Sequence, residues 1–194
     1  MQSAIWLTSK MVDWNIAALV GVPGVGKTSL SRSAARALGY SYVNYGELML
    51  EVAMSSNLAS NQEEMFKLES DVQHSIWKGA AIKIEKMKNF SMKILIDLHG
   101  VDQSDIGYII SLPIEIISPE LIVVVESSYE DIIMRRHSDE SRIRSIENMK
   151  SVKEHMEILR VTMLAYSVIY GSYITFLDNY DFEKSLKELK EILC

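Results

Sequence analysis

The sequence has one cysteine, no long apolar run and no excess of basic residues, and each shortage excludes a class of protein. Because Cys194 is the only cysteine, the chain cannot form an internal disulfide or a cysteine metal cluster, which favours a reducing compartment. No stretch reaches the roughly 18 consecutive apolar residues that cross a bilayer. The formal net charge of −6 disfavours a nucleic-acid backbone as partner. We expect a cytoplasmic protein that binds neither membranes nor nucleic acid.

Length and composition indicate one α/β domain. The chain has 194 residues, of which 48% are hydrophobic, and this is enough for a sizeable core. Residues 1–10 have no basic start and only a short apolar run at 4–7, so we do not expect a secretory signal. We assign 1–14 to an N-terminal extension and 15–194 to a single domain.

Short apolar segments alternate with segments of helical periodicity along the chain. The predicted strands are 16–20, 40–44, 92–96, 121–126 and 173–177, and the segment with Gly107 that follows the third strand is predicted as a loop. The predicted helices are 28–38, 47–58, 62–88, 129–136, 152–170 and 181–193, the last capped by Asp181. This alternation predicts an α/β fold with a five-stranded parallel sheet and helices on both faces. Ligands of such sheets bind beyond the carboxyl ends of the strands.

A glycine-rich motif follows the first predicted strand, where GVPGVGKT at 21–28 fits the pattern G-x-x-x-x-G-K-[ST]. The glycines let backbone N–H groups converge on a phosphate, and the next helix adds its positive N-terminal end. Lys27 can reach the β- and γ-phosphates, and Thr28 can place its hydroxyl on Mg²⁺. A chance glycine-rich turn is the alternative, but the strand before the motif and the helix after it favour nucleotide binding. The predicted ATP-binding residues are Gly21, Val22, Pro23, Gly24, Val25, Gly26, Lys27, Thr28 and Ser29.

Two polar residues follow the third predicted strand at the same edge of the sheet. Asp97 ends the apolar sequence ILID, and we predict that it holds Mg²⁺ or its water shell beside Thr28. A capped turn is the alternative for Asp97. His99 can orient Asp97 or contact the phosphoryl acceptor, and a plain hydrogen-bonded histidine is an equal alternative.

Four arginines fall within ten residues of an otherwise acidic chain, namely Arg135, Arg136, Arg142 and Arg144. Guanidinium groups bind phosphate oxygens in pairs and can stabilise the charge that spreads over a moving phosphoryl group. Acidic residues are interleaved, so a solvated charged face is the alternative. In a chain with a P-loop we favour an arginine-rich lid, at about 136–147, that closes over the phosphates.

Several segments resemble one family, the archaeal-type adenylate kinases, which are P-loop nucleoside-monophosphate kinases. In order, the matching segments are VNYGELML at 43–50, EEMFKLE at 63–69, ILIDLHG at 94–100, GYIISLP at 107–113 and Asp139-x-x-Arg142-x-Arg144. The resemblance covers nearly the whole chain from Asn15 onward.

The resemblance implies a nucleoside-monophosphate kinase fold and reversible, Mg²⁺-dependent phosphoryl transfer from ATP to AMP, giving two ADP. It implies an AMP site formed by helices at about 45–89, with Asn44, Tyr45, Gly46, Lys67 and His99 as AMP-binding residues. The implied active-site arginines are Arg135, Arg142 and Arg144, which join Lys27 of the P-loop as catalytic residues. Members of the family are often trimers, so the helix 152–170 is a candidate homotrimer interface, with ordinary core packing as the alternative.

Two positions depart from the family pattern. Phe66 stands where the family usually has arginine, and Gln103 replaces a basic residue, although Lys67 can compensate. These changes bear on the affinity and identity of the acceptor and leave ATP binding untouched. The alternatives are a P-loop kinase for CMP, UMP or a non-nucleotide alcohol, and an ATP-binding switch or assembly factor with weak kinase activity.

Overall fold

The computed structural model describes residues 14–91, 93–104, 107–113, 115–138 and 149–194. Within these ranges the chain forms seven strands and seven helices. The strands are β1 (Ile16–Val20), β2 (Ser41–Asn44), β3 (Ile94–Asp97), β4 (Val101–Ser104), β5 (Gly107–Ile110), β6 (Leu121–Glu126) and β7 (Tyr173–Asp178). The helices are α1 (Lys27–Leu38), α2 (Tyr45–Ser55), α3 (Gln62–Phe66), α4 (Ser70–Met87), α5 (Tyr129–Ser138), α6 (Met149–Tyr170) and α7 (Phe182–Leu193).

Five strands form one parallel sheet in the order β2-β3-β1-β6-β7, which confirms the sheet predicted from the sequence. β1 lies at its centre, where Ala18 is opposite Ile96 of β3 and Ile122 of β6. Every residue of β1, β3 and β6 is buried, so both faces of the central strands are covered. The chain runs from β1 to one side of the sheet and later to the other, and this reversal opens a crevice beyond the carboxyl end of β1.

The helices pack against the sheet and against one another. α1 contacts α7, α2 contacts α4, and α6 contacts both β6 and β7. Asp181 caps α7 as predicted, since its Oδ1 accepts a hydrogen bond from the Lys184 N–H at 3.0 Å. Trp14, which the sequence assigned to the extension, is buried and donates its indole N–H to the Ile192 carbonyl at 2.9 Å. Among the described residues, no helix is both long and apolar enough to cross a membrane.

The prediction of one helix over 62–88 is wrong, because the chain breaks between α3 and α4. Glu69 has an extended backbone, with φ −59° and ψ 148°. The Gln73 amide donates to the carbonyls of Phe66, at 3.0 Å, and Leu68, at 2.7 Å, and these bonds satisfy groups at the end of α3. The break separates α3, which faces the crevice, from the longer α4, which packs against α2.

The segment predicted as a loop after β3 contains an antiparallel pair, β4 and β5. Asp102 lies opposite Ile109, and the Ser111 N–H extends the ladder to the Gly100 carbonyl at 3.0 Å. α6 packs against β4, where the His155 Nε2 lies 2.8 Å from the Val101 carbonyl oxygen. These strands have four residues each, too few for a period-two pattern to distinguish them from a loop.

Candidate active site

The P-loop motif follows β1, and its last two residues, Lys27 and Thr28, are the first two residues of α1. Gly24 and Gly26 have φ values of +87° and +96°, in the left-handed region where a side chain is strained. A Cβ atom on Gly26 would lie 2.3 Å from the Asn179 amide nitrogen, so this position also excludes a side chain for lack of space. Because α1 begins at Lys27, its first N–H groups and its positive dipole end face the loop. The loop can therefore receive an anionic phosphate group.

Lys27 is buried, and its ammonium lies on the loop itself. Nζ donates to the Gly21 carbonyl at 2.6 Å and to the Val22 carbonyl at 3.2 Å. These contacts hold the positive charge beside the N–H groups of the loop. A short rotation of a flexible side chain is enough to bring the ammonium to phosphate oxygens, which is the role predicted for Lys27.

Three side chains hold the outer carbonyls of the P-loop. Arg136 Nε donates to the Pro23 carbonyl at 2.8 Å. The Val25 carbonyl accepts from Arg135 Nη1 at 3.1 Å and from Asn179 Nδ2 at 2.8 Å. Arg135 was predicted to contact phosphates, and here it contacts the loop that would bind them. Asn179 was missed by the sequence analysis, although its position directly after β7 at the ligand edge of the sheet is a signal that could have found it.

Asp97 and Thr28 meet as predicted. The Thr28 hydroxyl donates to Asp97 Oδ2 at 2.7 Å, and the Tyr42 hydroxyl donates to the same oxygen at 3.1 Å. Burial and the nearby negative charge of Asp97 raise the pKa of the Tyr42 phenol, so it remains a donor. The Arg32 guanidinium lies 5.5 Å from the centre of the Tyr42 ring and completes the cluster. Tyr42 was missed because nothing in its strand signals a contact with Asp97.

The oxygen atoms of Thr28 and Asp97 suit Mg²⁺, which prefers oxygen ligands. The described residues contain no group of three or more acidic, histidine or cysteine side chains that could hold a metal alone. Mg²⁺ commonly binds one or two protein oxygens and completes its coordination with water and substrate phosphates. The site therefore fits a cation that arrives with a nucleotide.

A cavity of about 90 Å³ opens beside the P-loop and collects most of the predicted acceptor residues. Its lining includes Lys27, Thr28, Asp97, Asn44, Tyr45, Gly46 and His99. The stretch 44–46, which precedes the predicted helix 47–58, is the cap and first turn of α2, since Asn44 Oδ1 accepts from the Glu47 N–H at 3.0 Å. The N-terminal end of a second helix therefore lines this cavity together with the start of α1.

Two other predicted positions behave differently. Lys67 is exposed, with Nζ 2.5 Å from Glu63 Oε1, and it lies outside the cavity, so its acceptor-binding role stays a prediction. Phe66 lines the cavity with 46% of its surface exposed. An aromatic ring, which carries no charge, therefore occupies part of the acceptor wall.

His99 is oriented by Asp102, a residue that the sequence analysis did not select. Nδ1 of His99 lies 2.6 Å from Asp102 Oδ1, and both side chains line the cavity. Burial raises the pKa of the Asp102 carboxyl, but the adjacent His99, together with Ser111 and His155, outweighs burial and holds the pKa below its ordinary value. The His99 carbonyl accepts from the Gly21 N–H at 3.2 Å, which ties this wall of the cavity to the P-loop.

The proposed lid cannot be placed in the same way. Arg142 and Arg144 lie outside the described residues, and their roles stay predictions. Arg135 and Arg136 belong to the last turn of α5, and Arg136 is the first residue of the lid predicted at about 136–147.

The site combines a buried strand, a glycine-rich loop, the helix that follows the loop, and a carboxylate on the strand beside the first one in the sheet. These features define a P-loop nucleotide-binding domain. A family model described as an AAA domain matches residues 20–153. The chain is 44% identical to an "Adenylate kinase homolog" of Methanothermobacter thermautotrophicus, over 91% of this chain and 90% of that protein. It is 36% identical to an adenylate kinase of Methanoculleus marisnigri, over 90% of this chain and 96% of that protein. The chain belongs to the adenylate kinase family.

Two further similarities refine this placement. A second protein of Methanothermobacter thermautotrophicus, named adenylate kinase, is 30% identical over 92% of this chain and 98% of that protein. A crystal structure of a sugar kinase from Janibacter sp. superposes with a TM-score of 0.51 at 11% identity, over 89% of this chain and 90% of that chain. At this identity the sugar kinase supports the fold alone.

We expect Lys27→Met to lower the rate of ATP-dependent phosphoryl transfer by about 100-fold or more, because it removes a positive charge that follows the γ-phosphate into the transition state. Steady-state kinetics with a circular-dichroism melt would check this. Lys187→Met, which removes an exposed lysine of α7, is the control and should leave the rate unchanged. Near-normal turnover in a folded Lys27→Met protein would contradict the role of Lys27.

Proposed function

We propose that the chain transfers the γ-phosphoryl group of ATP reversibly to AMP and gives two ADP. One observation carries this proposal, namely that a single cavity joins the end of the P-loop to the first turn of α2 and to His99. Residues from the starts of two helices, α1 and α2, thus line one cavity together with Asp97. Such an arrangement suits a reaction between two phosphates, in which catalysis consists mainly of positioning and charge stabilisation.

The acceptor phosphate would lie at the first turn of α2. A Cβ atom on Gly46 would make ordinary contacts with Asn44 Oδ1 at 3.5 Å and Gln62 Nε2 at 3.8 Å, so two polar side-chain atoms lie close to the helix start. An oxygen of the AMP phosphate attacks the γ-phosphorus, and the bond to the β,γ-bridging oxygen breaks. The base would lie between α2 and the helices α3 and α4, where hydrogen bonds can select it more strongly than shape alone.

Thr28 and Asp97 would hold Mg²⁺, and Tyr42 fixes the carboxylate of Asp97 through its hydroxyl. When bound, the ion supplies charge neutralisation between the β- and γ-phosphates. Lys27, Arg135, Arg142 and Arg144 would stabilise the charge on the transferring group, the last two from a lid over about 136–147. The segment Gly21 to Ser29 would bind the phosphates of ATP through the N–H groups around the start of α1, since the Gly21 and Val25 N–H groups bond the His99 and Val22 carbonyls and Pro23 has none.

A second candidate is phosphoryl transfer to another monophosphate or small acceptor, and Phe66 favours it. A phenyl ring cannot form the charge-assisted hydrogen bonds that arginine forms with phosphate. Gln103 does not restore a charge, because its side chain is a neutral amide, which donates to the Ser151 hydroxyl at 3.3 Å. The chain also shares more identity with the Methanothermobacter protein named a homolog, at 44%, than with the adenylate kinase of the same organism, at 30%. A switch or assembly factor with weak kinase activity is the third possibility.

We also propose a cytoplasmic homotrimer with a role in nucleotide metabolism. α6 carries exposed apolar side chains at the helical spacing of one face, Val161, Leu164 and Val168, with 67%, 42% and 83% of their surfaces exposed. Apolar side chains repeated along one face are typical of a protein interface.

We expect AMP to have the highest kcat/KM among AMP, GMP, CMP and UMP at fixed ATP and Mg²⁺. We expect Phe66 to raise the KM for AMP. Phe66→Arg should lower the KM for AMP by about tenfold, because it adds charge-assisted hydrogen bonds to the acceptor phosphate. Phe90→Arg adds the same charge at a ring that is 90% exposed and lies outside the cavity, so it should not change the KM. A coupled ADP-formation assay measures both.

Two results would reassign the acceptor. If another monophosphate exceeds AMP, the chain is a kinase of that nucleotide. If no monophosphate is turned over, an ATP-binding switch or assembly factor becomes the favoured function.

Replacement of the lid arginines should affect chemistry more than binding. We expect Arg142→Ala and Arg144→Ala to lower kcat by about tenfold or more while the dissociation constant of ATP changes little, because these groups would engage only on closure. Stopped-flow binding and steady-state turnover separate the two quantities, and Arg36→Ala on the exposed side of α1 is the control. Wild-type kcat in both variants would show that the arginines form a solvated charged face.

In light scattering, the proposed homotrimer should have a mass of about three times the 22.0 kDa of one chain. Val161→Glu combined with Val168→Glu should convert it to a monomer, because buried unpaired charges destabilise an apolar interface. A wild-type protein that is monomeric at micromolar concentration would exclude the trimer.

A further inference from the structure

Asn179 joins three parts of the active-site scaffold. Its side-chain amide donates to the Val25 carbonyl of the P-loop at 2.8 Å. Its backbone N–H donates to the Glu126 carbonyl at the end of β6 at 2.7 Å, and its carbonyl accepts from the Ser127 hydroxyl at 3.0 Å. Only 4% of its surface is exposed. The residue is therefore fixed by the sheet and holds the loop from outside.

The Val25 carbonyl determines where the next N–H points. In a trans peptide the carbonyl of one residue and the N–H of the next point in opposite directions. With the Val25 carbonyl held outward, the Gly26 N–H is directed to the inner side of the loop, where phosphate oxygens would lie. The approach is so close that a Cβ on Gly26 would meet the Asn179 amide at 2.3 Å.

Arg135 shares this acceptor with Asn179. Its Nη1 donates to the Val25 carbonyl at 3.1 Å, while its Nη2 donates to the Asn179 carbonyl at 3.2 Å. A carbonyl oxygen has two lone pairs and can accept both donors. If Arg135 turns to a phosphate oxygen during the reaction, the bond from Asn179 remains.

We propose that Asn179 is a positioning residue that keeps the peptide between Val25 and Gly26 aimed at the phosphates while Arg135 leaves the loop for the transferring group. The two donors substitute for each other on one carbonyl: both hold it in the free enzyme, and Asn179 holds it alone in the closed complex. This inference rests on the proposed function only in assigning Arg135 to the phosphates.

The first test compares turnover with nucleotide binding in Asn179→Ala. In the free enzyme Arg135 still holds the Val25 carbonyl, so the dissociation constant of ATP should change by less than about threefold. In the closed complex the Val25 carbonyl would then have neither of its two donors, and kcat should fall by about tenfold, the scale of one hydrogen bond. In Asn179→Asp, kcat should fall further, because a carboxylate oxygen then faces the Val25 carbonyl oxygen.

Ser127→Ala is the matched control. It removes a buried hydrogen bond to the same residue but leaves the bond from Asn179 Nδ2 to Val25 in place. It should lower the melting temperature as Asn179→Ala does and keep kcat within about twofold. If Asn179→Ala also keeps kcat, or if it weakens ATP binding as much as it lowers kcat, the proposal is overturned.

A second measurement does not depend on turnover. Amide hydrogen exchange of Gly21 and Val25, whose N–H groups bond the His99 and Val22 carbonyls, should stay slow in Asn179→Ala and in Arg135→Ala and become fast only in the double variant. Full loss of protection in Asn179→Ala alone, or none in the double variant, would overturn the substitution of one donor for the other. If the wild-type protein forms no ADP from AMP, the proposed function fails, and this exchange experiment still decides the role of Asn179.

Discussion

The active site depends on one constraint, which is that side chains outside the P-loop hold the Pro23 and Val25 carbonyls and so turn the Gly26 N–H to the opposite, inner side of the loop. Gly24 and Gly26 supply the left-handed backbone that this path needs. Arg136, Arg135 and Asn179 then bind the carbonyls of Pro23 and Val25 on the outer side. Because the carbonyls have partners within the protein, the inward Gly26 N–H is set before a nucleotide arrives, and binding does not have to order it.

The distribution of charge follows from the same constraint. The chain has a net charge of −6, yet Lys27, Arg135 and Arg136 all contact the P-loop directly. In the free protein their hydrogen-bonding partners there include backbone carbonyls, which are weaker acceptors than phosphate oxygens. A bound nucleotide would offer a better acceptor to each of them. In the free protein the positively charged side chains of the site are therefore bonded to the P-loop. They can turn from the loop to the substrate when it binds.

The sequence predicted the parts of this site that lie in local patterns. Three features can be recognised from a few neighbouring residues each: the apolar run at 16–20, the glycine spacing after it, and Asp97 at the end of the third strand. The same local signals located the five parallel strands, because a strand buried on both faces is a continuous apolar run. The break before α4 was missed because Met65, Leu68 and Val72 continue a helical spacing across it.

The contacts of Tyr42 and Asn179 could not be found in this way, because they join distant segments, although the place of Asn179 after β7 marks the ligand edge of the sheet. Asp102 was missed although it lies only three residues from His99. Asn179 meets Val25 across 154 positions of sequence, and Tyr42 meets Asp97 across 55. The family resemblance predicted that Arg135 contacts the phosphates, but it could not show that the guanidinium binds the loop in the free protein. Lys67, chosen as a substitute for the missing arginine, is exposed outside the cavity and pairs with Glu63.

The central claim is that the cavity beside the P-loop places an acceptor phosphate in line with the γ-phosphate of ATP. The most direct measurement follows the label of [γ-³²P]ATP in the presence of AMP and Mg²⁺, with products separated by chromatography. The account predicts that the label appears in the β-phosphate of ADP, with little in inorganic phosphate. Label found only in inorganic phosphate, at a rate that does not depend on AMP, would contradict it.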